Sequence, residues 1–375
     1  MKNQPKETEE RAVVVGLSAA SLPPEQRSDE ESLTELENLL ATAGGICCGR
    51  VFQQRPKPDP RSLIGGGKVE EIKVMLAMEN CSLAVFDNEL TPSQMRVLSA
   101  DLGVRVIDRS SLILDIFAQR AQTREGRLQV ELAQYKYILP RLTGMWTHLD
   151  RETAGGGKAP IGTRGTGETQ LESDRRYIRQ RIERLERELK QVRKNRATQR
   201  SRRQKNGVPL VALVGYTNAG KSTLMNRLTH ADIPANDRLF DTLDTTTRRL
   251  RLENGRTLLI SDTVGFIRRL PHHLVEAFKA TLEELSYADV ILHVIDAGHP
   301  QWQEKAKITE KLIDELARPE TPRLRVFNKA DLLTGEEREM ISYEADHLFI
   351  SAEKGEGIAE LLQSLDTMTK SGFYD

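Results

Sequence analysis

The segment Val208-Pro-Leu-Val-Ala-Leu-Val-Gly-Tyr-Thr-Asn-Ala-Gly-Lys-Ser-Thr223 decides the fold of the carboxy-terminal half of the chain. Its apolar beginning predicts a buried strand, its end matches G-x-x-x-x-G-K-[ST], and residues 224–228 predict a helix directly afterwards. Glycines let the backbone turn closely around a polyphosphate, while the N–H groups of the loop and of the helix N-terminus face the anion. The segment therefore predicts a phosphate-binding loop, or P-loop, in an open α/β sheet.

Two side chains of this loop have predicted chemical roles. Lys221 reaches the β- and γ-phosphates and is assigned a catalytic role, and the Ser222 hydroxyl ligates Mg²⁺. The residues predicted to surround the phosphates are Gly215, Tyr216, Thr217, Asn218, Ala219, Gly220, Lys221, Ser222 and Thr223.

A second apolar run, at residues 258–260, leads into Ser261-Asp-Thr-Val-Gly265. A carboxylate at the end of a strand can hold the magnesium ion through water, which predicts Asp262 as a metal ligand. Gly265 lets a backbone N–H approach the γ-phosphate and is assigned a catalytic role. Thr263 and Val264 are predicted to lie beside the nucleotide.

Two later segments predict which base is bound. Asn328-Lys-Ala-Asp331 follows a strand at 324–327, and the Asp331 carboxylate can accept hydrogen bonds from guanine N1–H and the exocyclic amine. Adenine presents the wrong donors, and a charge-assisted pair is worth roughly 1.5–3 kcal/mol. After another strand end, a backbone N–H of Ser351-Ala352 can meet the guanine carbonyl. The residues predicted to bind the base end of the nucleotide are Asn328, Lys329, Asp331, Ser351 and Ala352.

These segments occur in a fixed order, each at a strand's carboxyl end, where open α/β sheets bind their ligands. Residues 208–375 therefore resemble the G domain of the translation-factor-related GTPases.

The composition is that of an ordinary soluble protein, with 38% hydrophobic and 29% charged residues among 375. No apolar run reaches the roughly 18–20 residues of a membrane span, and no apolar segment follows the N-terminus as in a secretory signal. Cys47, Cys48 and Cys81 lack a metal-binding spacing and are interpreted as buried small side chains in a reducing compartment. We therefore expect a cytoplasmic monomer without a membrane span.

The amino-terminal part alternates strand and helix patterns. Strands are predicted at 12–17, 46–52, 83–86 and 104–108, and helices at 29–42, 69–77 and 92–102. Such alternation predicts a small parallel sheet with right-handed crossovers. It would form a domain of residues 12–112 behind a disordered tail of residues 1–11.

Residues 113–207 contain no strand pattern. Apolar residues recur at helical spacing in two stretches, namely Leu128, Leu132, Tyr135 and Leu139, then Ile178, Ile182, Leu185, Leu189 and Val192. Two such seams joined by a long loop predict an antiparallel, coiled-coil-like helical hairpin. Thr169-Gln-Leu-Glu172 predicts the capping box that opens the second helix.

Positive charge is concentrated in the second helix. Residues 169–207 contain 14 Lys or Arg against 5 Asp or Glu, a net charge of +9 in a chain whose net charge is zero. Up to Arg193 these side chains can form a solvated face with i,i+4 pairs such as Glu183–Arg187. Residues 194–205 carry six positive charges and no acid, so this stretch either binds phosphate or is a flexible basic linker.

A glycine-rich loop at residues 154–167 precedes this helix. Arg164-Gly-Thr-Gly-Glu-Thr-Gln-Leu-Glu-Ser-Asp-Arg-Arg176 closely resembles the signature of the HflX family of ribosome-associated GTPases. Leu63–Ile72 and Phe240–Arg248 resemble two further segments of that family, so the resemblance runs from about residue 12 to the end. The chain departs from the family pattern at Thr166 and Thr245, where the family usually or often has proline.

The resemblance implies a GTPase that binds the large ribosomal subunit and its rRNA, splits stalled or idle ribosomes, and is stimulated by that subunit. The residues themselves indicate a basic hairpin with a glycine-rich tip that can lie against RNA, with Arg164 pairing a phosphate. Gly65-Gly-Gly-Lys68 raises the possibility of ATP at the amino-terminal domain, to which the family has been linked. A tight turn before a helix is the simpler interpretation of that segment.

In the first switch segment, the resemblance makes Thr242 the residue that completes the Mg²⁺ shell when the γ-phosphate is present, with a catalytic role. Thr245, Thr246 and Thr247 are alternative candidates for this role, because they offer the same hydroxyl group. The other residues expected to contact the nucleotide in this segment are Phe240, Asp241, Leu243 and Asp244.

Phe266 follows Gly265, at a position where many small GTPases carry a water-orienting Gln. An apolar side chain cannot orient water by hydrogen bonding. We therefore expect slow intrinsic turnover that needs a partner, an ordered switch or a K⁺-type cation near Asn218.

The leading hypothesis is GTP-controlled dissociation of ribosomes by a chain with domains at 12–112, 113–207 and 208–375. The alternative is a GTP-switched RNA-binding chaperone or remodeller that acts on free RNA. A membrane-associated GTPase is a third hypothesis, which no amphipathic or lipid-anchor signal supports.

Overall fold

The computed structural model describes residues 9–142, 166–205, 207–229, 239–240, 243, 246–269, 284–342 and 347–371. The chain divides into two compact units, Met1–Gln119 with Leu128–Glu188, and Arg120–Arg127 with Leu189–Asp375. Among the helices of the described ranges, none is long and apolar enough to cross a membrane.

The first unit contains a four-stranded parallel sheet with strand order β2-β1-β3-β4, as the alternating patterns predict. Its strands are β1 (Glu10–Ala19), β2 (Gly45–Arg55), β3 (Leu83–Phe86) and β4 (Arg105–Asp108). Its connecting helices are α1 (Glu30–Thr42), α2 (Gly66–Met78) and α3 (Pro92–Leu102). β1 includes Glu10 and Arg11, which the sequence assigns to the tail; most of that predicted tail lies outside the described residues.

Helix boundaries in this sheet follow local capping chemistry. Asp29 caps α1 by accepting a hydrogen bond from Ser32 N at 2.7 Å, and Thr91 caps α3 with Gln94 in a reciprocal capping box. Gly103 ends α3 in the left-handed conformation that glycine adopts without steric cost. The local sequence therefore determines where these helices begin and end.

Among the described residues, the helices that follow this sheet along the chain are α4 (Arg109–Arg120), α5 (Arg124–Ile138) and α6 (Thr166–Lys205). Both predicted seams face inward, since Leu128, Leu132, Ile178, Leu185 and Leu189 are buried. Two ion pairs join α5 to α6, Arg181–Glu131 at 2.6 Å and Lys136–Glu186 at 2.8 Å. A helical region that lies between the two sheets in the sequence is therefore confirmed, and α4 continues through the predicted domain boundary at residue 112. The predicted boundaries at 11, 112 and 207 remain predictions.

Two details of the helical region differ from the sequence prediction. Helix α6 begins at Thr166, so Thr169-Gln-Leu-Glu172 lies inside the helix and does not open it. Arg187 donates to the backbone carbonyl of Glu183 and not to its carboxylate, whereas Arg184 forms the i,i+4 pair with Glu188 at 3.0 Å. The Glu183 carbonyl lies one turn before Arg187 along the helix, and the Glu188 carboxylate lies one turn after Arg184. Each arginine therefore meets a partner one turn away on the same helix.

The second unit contains a six-stranded sheet with strand order β10-β9-β8-β5-β7-β6, in which only β6 runs antiparallel to its neighbour. Its strands are β5 (Leu210–Gly215), β6 (Thr246–Arg251), β7 (Thr257–Asp262), β8 (Val290–Asp296), β9 (Arg323–Asn328) and β10 (His347–Phe349). Its helices are α7 (Lys221–Thr229), α8 (Trp302–Leu316), α9 (Gly335–Ser342) and α10 (Ile358–Ser371). The predicted mixed α/β class is confirmed, and β6, β8 and α8 are elements that the sequence analysis did not assign.

Candidate nucleotide site

The P-loop connects β5 to α7 at the point where the strand order reverses between β5 and β8. Gly215 ends β5, and a Cβ added there would collide with the carbonyl oxygen of Val294 in β8. Gly220 has φ +86°, and a Cβ there would collide with the side-chain amide of Asn328. Both positions require glycine because neighbouring strand ends press against the loop backbone.

Lys221 is the first residue of α7 and is buried. Its Nζ donates to the carbonyl oxygens of Gly215 at 3.1 Å and Tyr216 at 2.9 Å, which are the carbonyls at the start of the loop. Burial lowers the pKa of Lys221 to about 8, against the opposing attraction of Asp262. The ammonium group therefore lies within the loop, where a phosphate anion would offset the cost of its desolvation.

Ser222 and Asp262 meet directly although they lie on different elements. The Ser222 hydroxyl donates to Asp262 Oδ2 at 2.8 Å, and Asp262 is fully buried at the end of β7. A hydroxyl and a carboxylate side by side are the hard oxygen donors that suit Mg²⁺. Within the described ranges no group of three or more His, Cys, Asp or Glu side chains is placed to hold a metal.

The segment after β7 runs alongside the P-loop. Thr217 N donates to Phe266 O at 2.7 Å, and Phe266 N donates to Gly215 O at 3.2 Å. A Cβ on Gly265 would lie 2.8 Å from Thr217 Cγ2 and 3.0 Å from Lys221 Nζ. The absence of a side chain at Gly265 therefore lets its backbone pack closely against Thr217 and the lysine ammonium.

Phe266 is buried in the core and packs with Val214, Leu285, Ile291 and Ile313. Its ring is part of the packing beneath the sheet, in agreement with the expectation that it does not orient water. Tyr216 makes a further link to this segment, since its hydroxyl accepts a hydrogen bond from Arg268 N at 2.7 Å.

Asn328 ties the P-loop to the segment after β10. Its Nδ2 donates to Ala219 O at 2.9 Å, and its Oδ1 accepts from Ala352 N at 3.0 Å. Lys329 has φ +61° and pairs with Asp296 at 2.7 Å. These contacts place the two predicted base-recognition segments at the same edge of the sheet.

Asp331 lies in the short turn Ala330–Leu332 after β9. A hydrogen bond from the Ser351 hydroxyl, supported by Lys354 at 3.2 Å, lowers the pKa of Asp331 below its usual range. The carboxylate is therefore ionised at neutral pH, the state in which it can accept two hydrogen bonds from guanine.

Arg227, which lies on α7 two turns after the P-loop, is a further site residue that was not predicted from the sequence. Its Nε donates to Ala352 O at 3.0 Å, and its Nη2 donates to Glu353 O. Arg227 therefore links the helix at the phosphate end to the segment at the base end. No local pattern around it signals this, because its partners are 125 and 126 residues away.

The first switch segment is described in part. Phe240 and Leu243 are buried, and Phe240 has φ +57°. Asp241, Thr242, Asp244 and Thr245 lie outside the described residues. Thr246 and Thr247 begin β6, opposite Asp262 and Ser261 of β7. Thr246 and Thr247 are therefore paired with β7 as part of the sheet. The assignment of Thr242 as the Mg²⁺-binding threonine of this segment remains a prediction.

The segment Gly65–Lys68 forms the start of α2. Gly65 is the N-cap and donates to Gln53 Oε1 at 2.8 Å, and Lys68 pairs with Glu71 at 2.7 Å. The segment is thus a turn before a helix, and ATP binding there remains untested.

Comparison with known protein families agrees with this architecture. Residues 30–118 match the GTP-binding GTPase N-terminal family, residues 120–203 the GTP-binding GTPase middle region, and residues 210–329 the 50S ribosome-binding GTPase family. A protein named GTPase HflX from Caldanaerobacter subterraneus subsp. tengcongensis is 49% identical over 361 residues, covering 95% of this chain and 80% of the relative. The chain belongs to the HflX family of GTPases.

Other HflX relatives extend the same picture. GTPase HflX of Escherichia coli is 46% identical over 343 residues, covering 91% of this chain and 79% of the relative. A crystal structure of SsGBP in complex with GDP superposes with a TM-score of 0.53 at 25% identity, covering 96% of this chain and 99% of that one. The chain is thus a P-loop GTPase that binds GTP and GDP and hydrolyses GTP.

Proposed function

We propose that this HflX-family chain binds the large ribosomal subunit in its GTP state and dissociates stalled or idle ribosomes in the cytoplasm. GTP would order the switch segments and present the basic helix in a binding-competent pose, and hydrolysis would release the chain. The observation that carries the proposal is the combination of a guanine-nucleotide site with a 40-residue basic helix in one HflX chain.

The site supports the nucleotide part of this proposal residue by residue. Lys221 would contact the β- and γ-phosphates, and the N–H of Gly265 would meet the terminal phosphate. Ser222, Asp262 through water, and Thr242 would hold Mg²⁺, which supplies charge neutralisation when bound. Asp331 and Ala352 N would read guanine. A K⁺-type cation near Asn218 would supply further positive charge.

The exposed face of α6 supports the RNA part. Arg176, Arg187, Lys190, Arg193 and Lys194 are all exposed, and none forms an ion pair with an acidic side chain in the described part of the chain. Cations left without acidic neighbours favour a polyanion over a self-neutralised solvated face. The 50S ribosome-binding description of the family matching residues 210–329 favours ribosomal RNA as that polyanion.

Sedimentation tests the proposal. Intact ribosomes are incubated with the chain and GTP, a non-hydrolysable GTP analogue or GDP, and the subunit peaks are measured. We expect dissociation with GTP and the analogue, and little with GDP. Intact ribosomes in all three samples, with remodelling of isolated RNA hairpins instead, would favour the RNA chaperone.

Partner activation has a separate test. GTP turnover is measured with and without large ribosomal subunits, in K⁺ and in Na⁺. We expect faster turnover with subunits, because Phe266 leaves the site without a water-orienting amide of its own. Equal rates would remove activation by the subunit.

A further inference from the structure

The Thr217 hydroxyl is a buried polar group within the P-loop. Thr217 is 7% exposed, and its Oγ1 has no hydrogen-bond partner within the described part of the chain. The backbone N–H of the same residue is bonded to Phe266 O, so the residue itself is firmly placed. A buried hydroxyl in a native structure normally has a partner, and an exception at a ligand site points to the ligand as that partner.

The surroundings of Thr217 identify where that ligand would lie. Its Cγ2 and the Nζ of Lys221 lie 2.8 Å and 3.0 Å from one point, the position that a Cβ on Gly265 would occupy. The Thr217 methyl group therefore packs closely against Gly265, next to the lysine ammonium. These are the two groups that would contact the terminal phosphate.

Neighbouring hydroxyls already have partners. Ser222 donates to Asp262 Oδ2, Thr263 Oγ1 donates to Leu213 O at 2.7 Å, and Tyr216 accepts from Arg268 N. Phe266 is apolar and packed in the core. In the described part of these loops, the Thr217 hydroxyl is therefore the buried hydroxyl that remains available to a phosphate oxygen.

We propose that Thr217 is a catalytic residue whose hydroxyl donates a hydrogen bond to a non-bridging oxygen of the γ-phosphoryl group. In the reaction, a water oxygen bonds to the γ-phosphorus and the bond to the β,γ-bridging oxygen breaks. GDP leaves, the water's proton passes to the released phosphate, and Thr217 keeps its own proton. A donor placed at the terminal phosphoryl group stabilises charge that develops during transfer.

Two substitutions separate this role from packing. Thr217→Val keeps the shape and removes the hydroxyl, whereas Thr217→Ser keeps the hydroxyl and removes the methyl group. Phosphate release is measured under single-turnover conditions without ribosomes, together with GDP affinity and melting temperature. We expect Thr217→Val to hydrolyse GTP roughly 10- to 100-fold more slowly. GDP affinity should stay within about twofold of the original chain, because GDP lacks the γ-phosphoryl group. Thr217→Ser should remain within about threefold in rate.

Three outcomes would overturn the proposal. The first is an unchanged rate in Thr217→Val. The second is an equal loss of rate in Thr217→Ser and Thr217→Val, which would show that keeping the hydroxyl does not preserve the rate. The third is a loss of GDP affinity as large as the loss of rate, which would assign Thr217 to loop structure. All three are read without ribosomes, so they are independent of the ribosomal proposal.

Discussion

Both sheets of this chain have a point at which the strand order reverses, between β1 and β3 in the first unit and between β5 and β8 in the second. Open parallel sheets bind ligands at such points, outside the carboxyl ends of the strands. The two units treat this position differently.

In the first unit, the chain's own side chains occupy the reversal point. Arg109 is almost fully buried and pairs with Asp87 at 2.9 Å and with Glu35. Asp87 also accepts from the hydroxyls of Ser28 at 2.6 Å and Ser32 at 2.8 Å. The crevice is therefore filled by an internal ion network.

In the second unit, the reversal point between β5 and β8 is lined by the backbone of glycine residues. Gly215, Gly220 and Gly265 carry no side chain there, and the P-loop leads directly into the N-terminus of α7. Loop N–H groups and one buried ammonium attract an anion, whereas the network of the first unit is already charge-paired. The comparison shows that sheet topology provides a location for binding, and the residues after each strand decide whether a ligand can use it.

The largest expected effect on nucleotide affinity tests the second unit. Lys221→Ala removes the buried ammonium, and we expect GTP and GDP affinity to fall by roughly 100-fold or more, since a charge-assisted phosphate contact is lost. Calorimetry measures both affinities. Lys307→Ala, an exposed lysine on α8, is the matched control and should bind normally. Retained micromolar affinity in Lys221→Ala would place the phosphate site elsewhere.

The corresponding test of the first unit is Arg109→Met. It leaves Asp87 and Glu35 buried without their cation, and we expect the free energy of unfolding to fall by about 3–5 kcal/mol. Hydrogen exchange of β1 and β3 peptides measures the loss, and nucleotide affinity should not change.

Arg105→Met is the control for Arg109→Met. It breaks the exposed pair with Glu10 and should cost less than about 1 kcal/mol. Similar hydrogen-exchange protection of β1 and β3 in Arg109→Met and Arg105→Met would mean that the buried ion network does not stabilise the sheet. Reduced GDP affinity in Arg109→Met would mean that the ion network of the first unit influences the nucleotide site.

Arg227→Ala sharpens the comparison at the base end. Loss of two hydrogen bonds at about 1 kcal/mol each should weaken GTP and GDP binding by roughly 10- to 30-fold. The hydrolysis rate at saturating GTP should be unchanged, because the phosphate contacts remain. Arg251→Ala, an exposed arginine on β6, should behave as the original chain. A slower saturated rate with normal affinity would contradict a role in positioning the base-recognition segment.

The smallest effect concerns pH. Because the pKa of Lys221 is lowered to about 8, the free site loses its positive charge as pH rises above that value. We expect GDP affinity to fall by about tenfold between pH 7 and pH 9, since bound phosphate favours the protonated lysine.

The lowered pKa of Lys221 has the opposite effect on the stability of the unliganded chain, which should increase as pH rises. The unfolded lysine keeps its proton up to its ordinary pKa of 10.5, so the free energy of unfolding should rise between about pH 8 and 10.5. Lys221→Met should lack this rise when unfolding is followed across that range. A GDP affinity that is constant from pH 7 to 9 would indicate that the lysine stays charged in the free site.

Several elements could be predicted because their signals are local. The strand at 83–86 and the helix at 92–102 have the predicted bounds, since an apolar run and a capping box define them. The strand β8 was missed although residues 290–295 form an apolar run, because His293 interrupts its middle. In the fold that histidine is buried, and burial lowers its pKa to about 3, so it behaves as a neutral core residue.

The order of the nucleotide-binding segments is determined by the sequence alone, because each uses loop backbone and one or two side chains within a few residues. Tertiary structure decided the contacts of Arg227 with residues 352 and 353, and the pairing of Arg109 with Asp87 and Glu35. It also decided the burial of the Thr217 hydroxyl, which has no partner among the described residues. Whether a polar side chain is buried, and what it meets there, depends on strands and helices distant in sequence. Burial also makes each of these groups energetically important, because desolvation is costly for any polar atom without a partner.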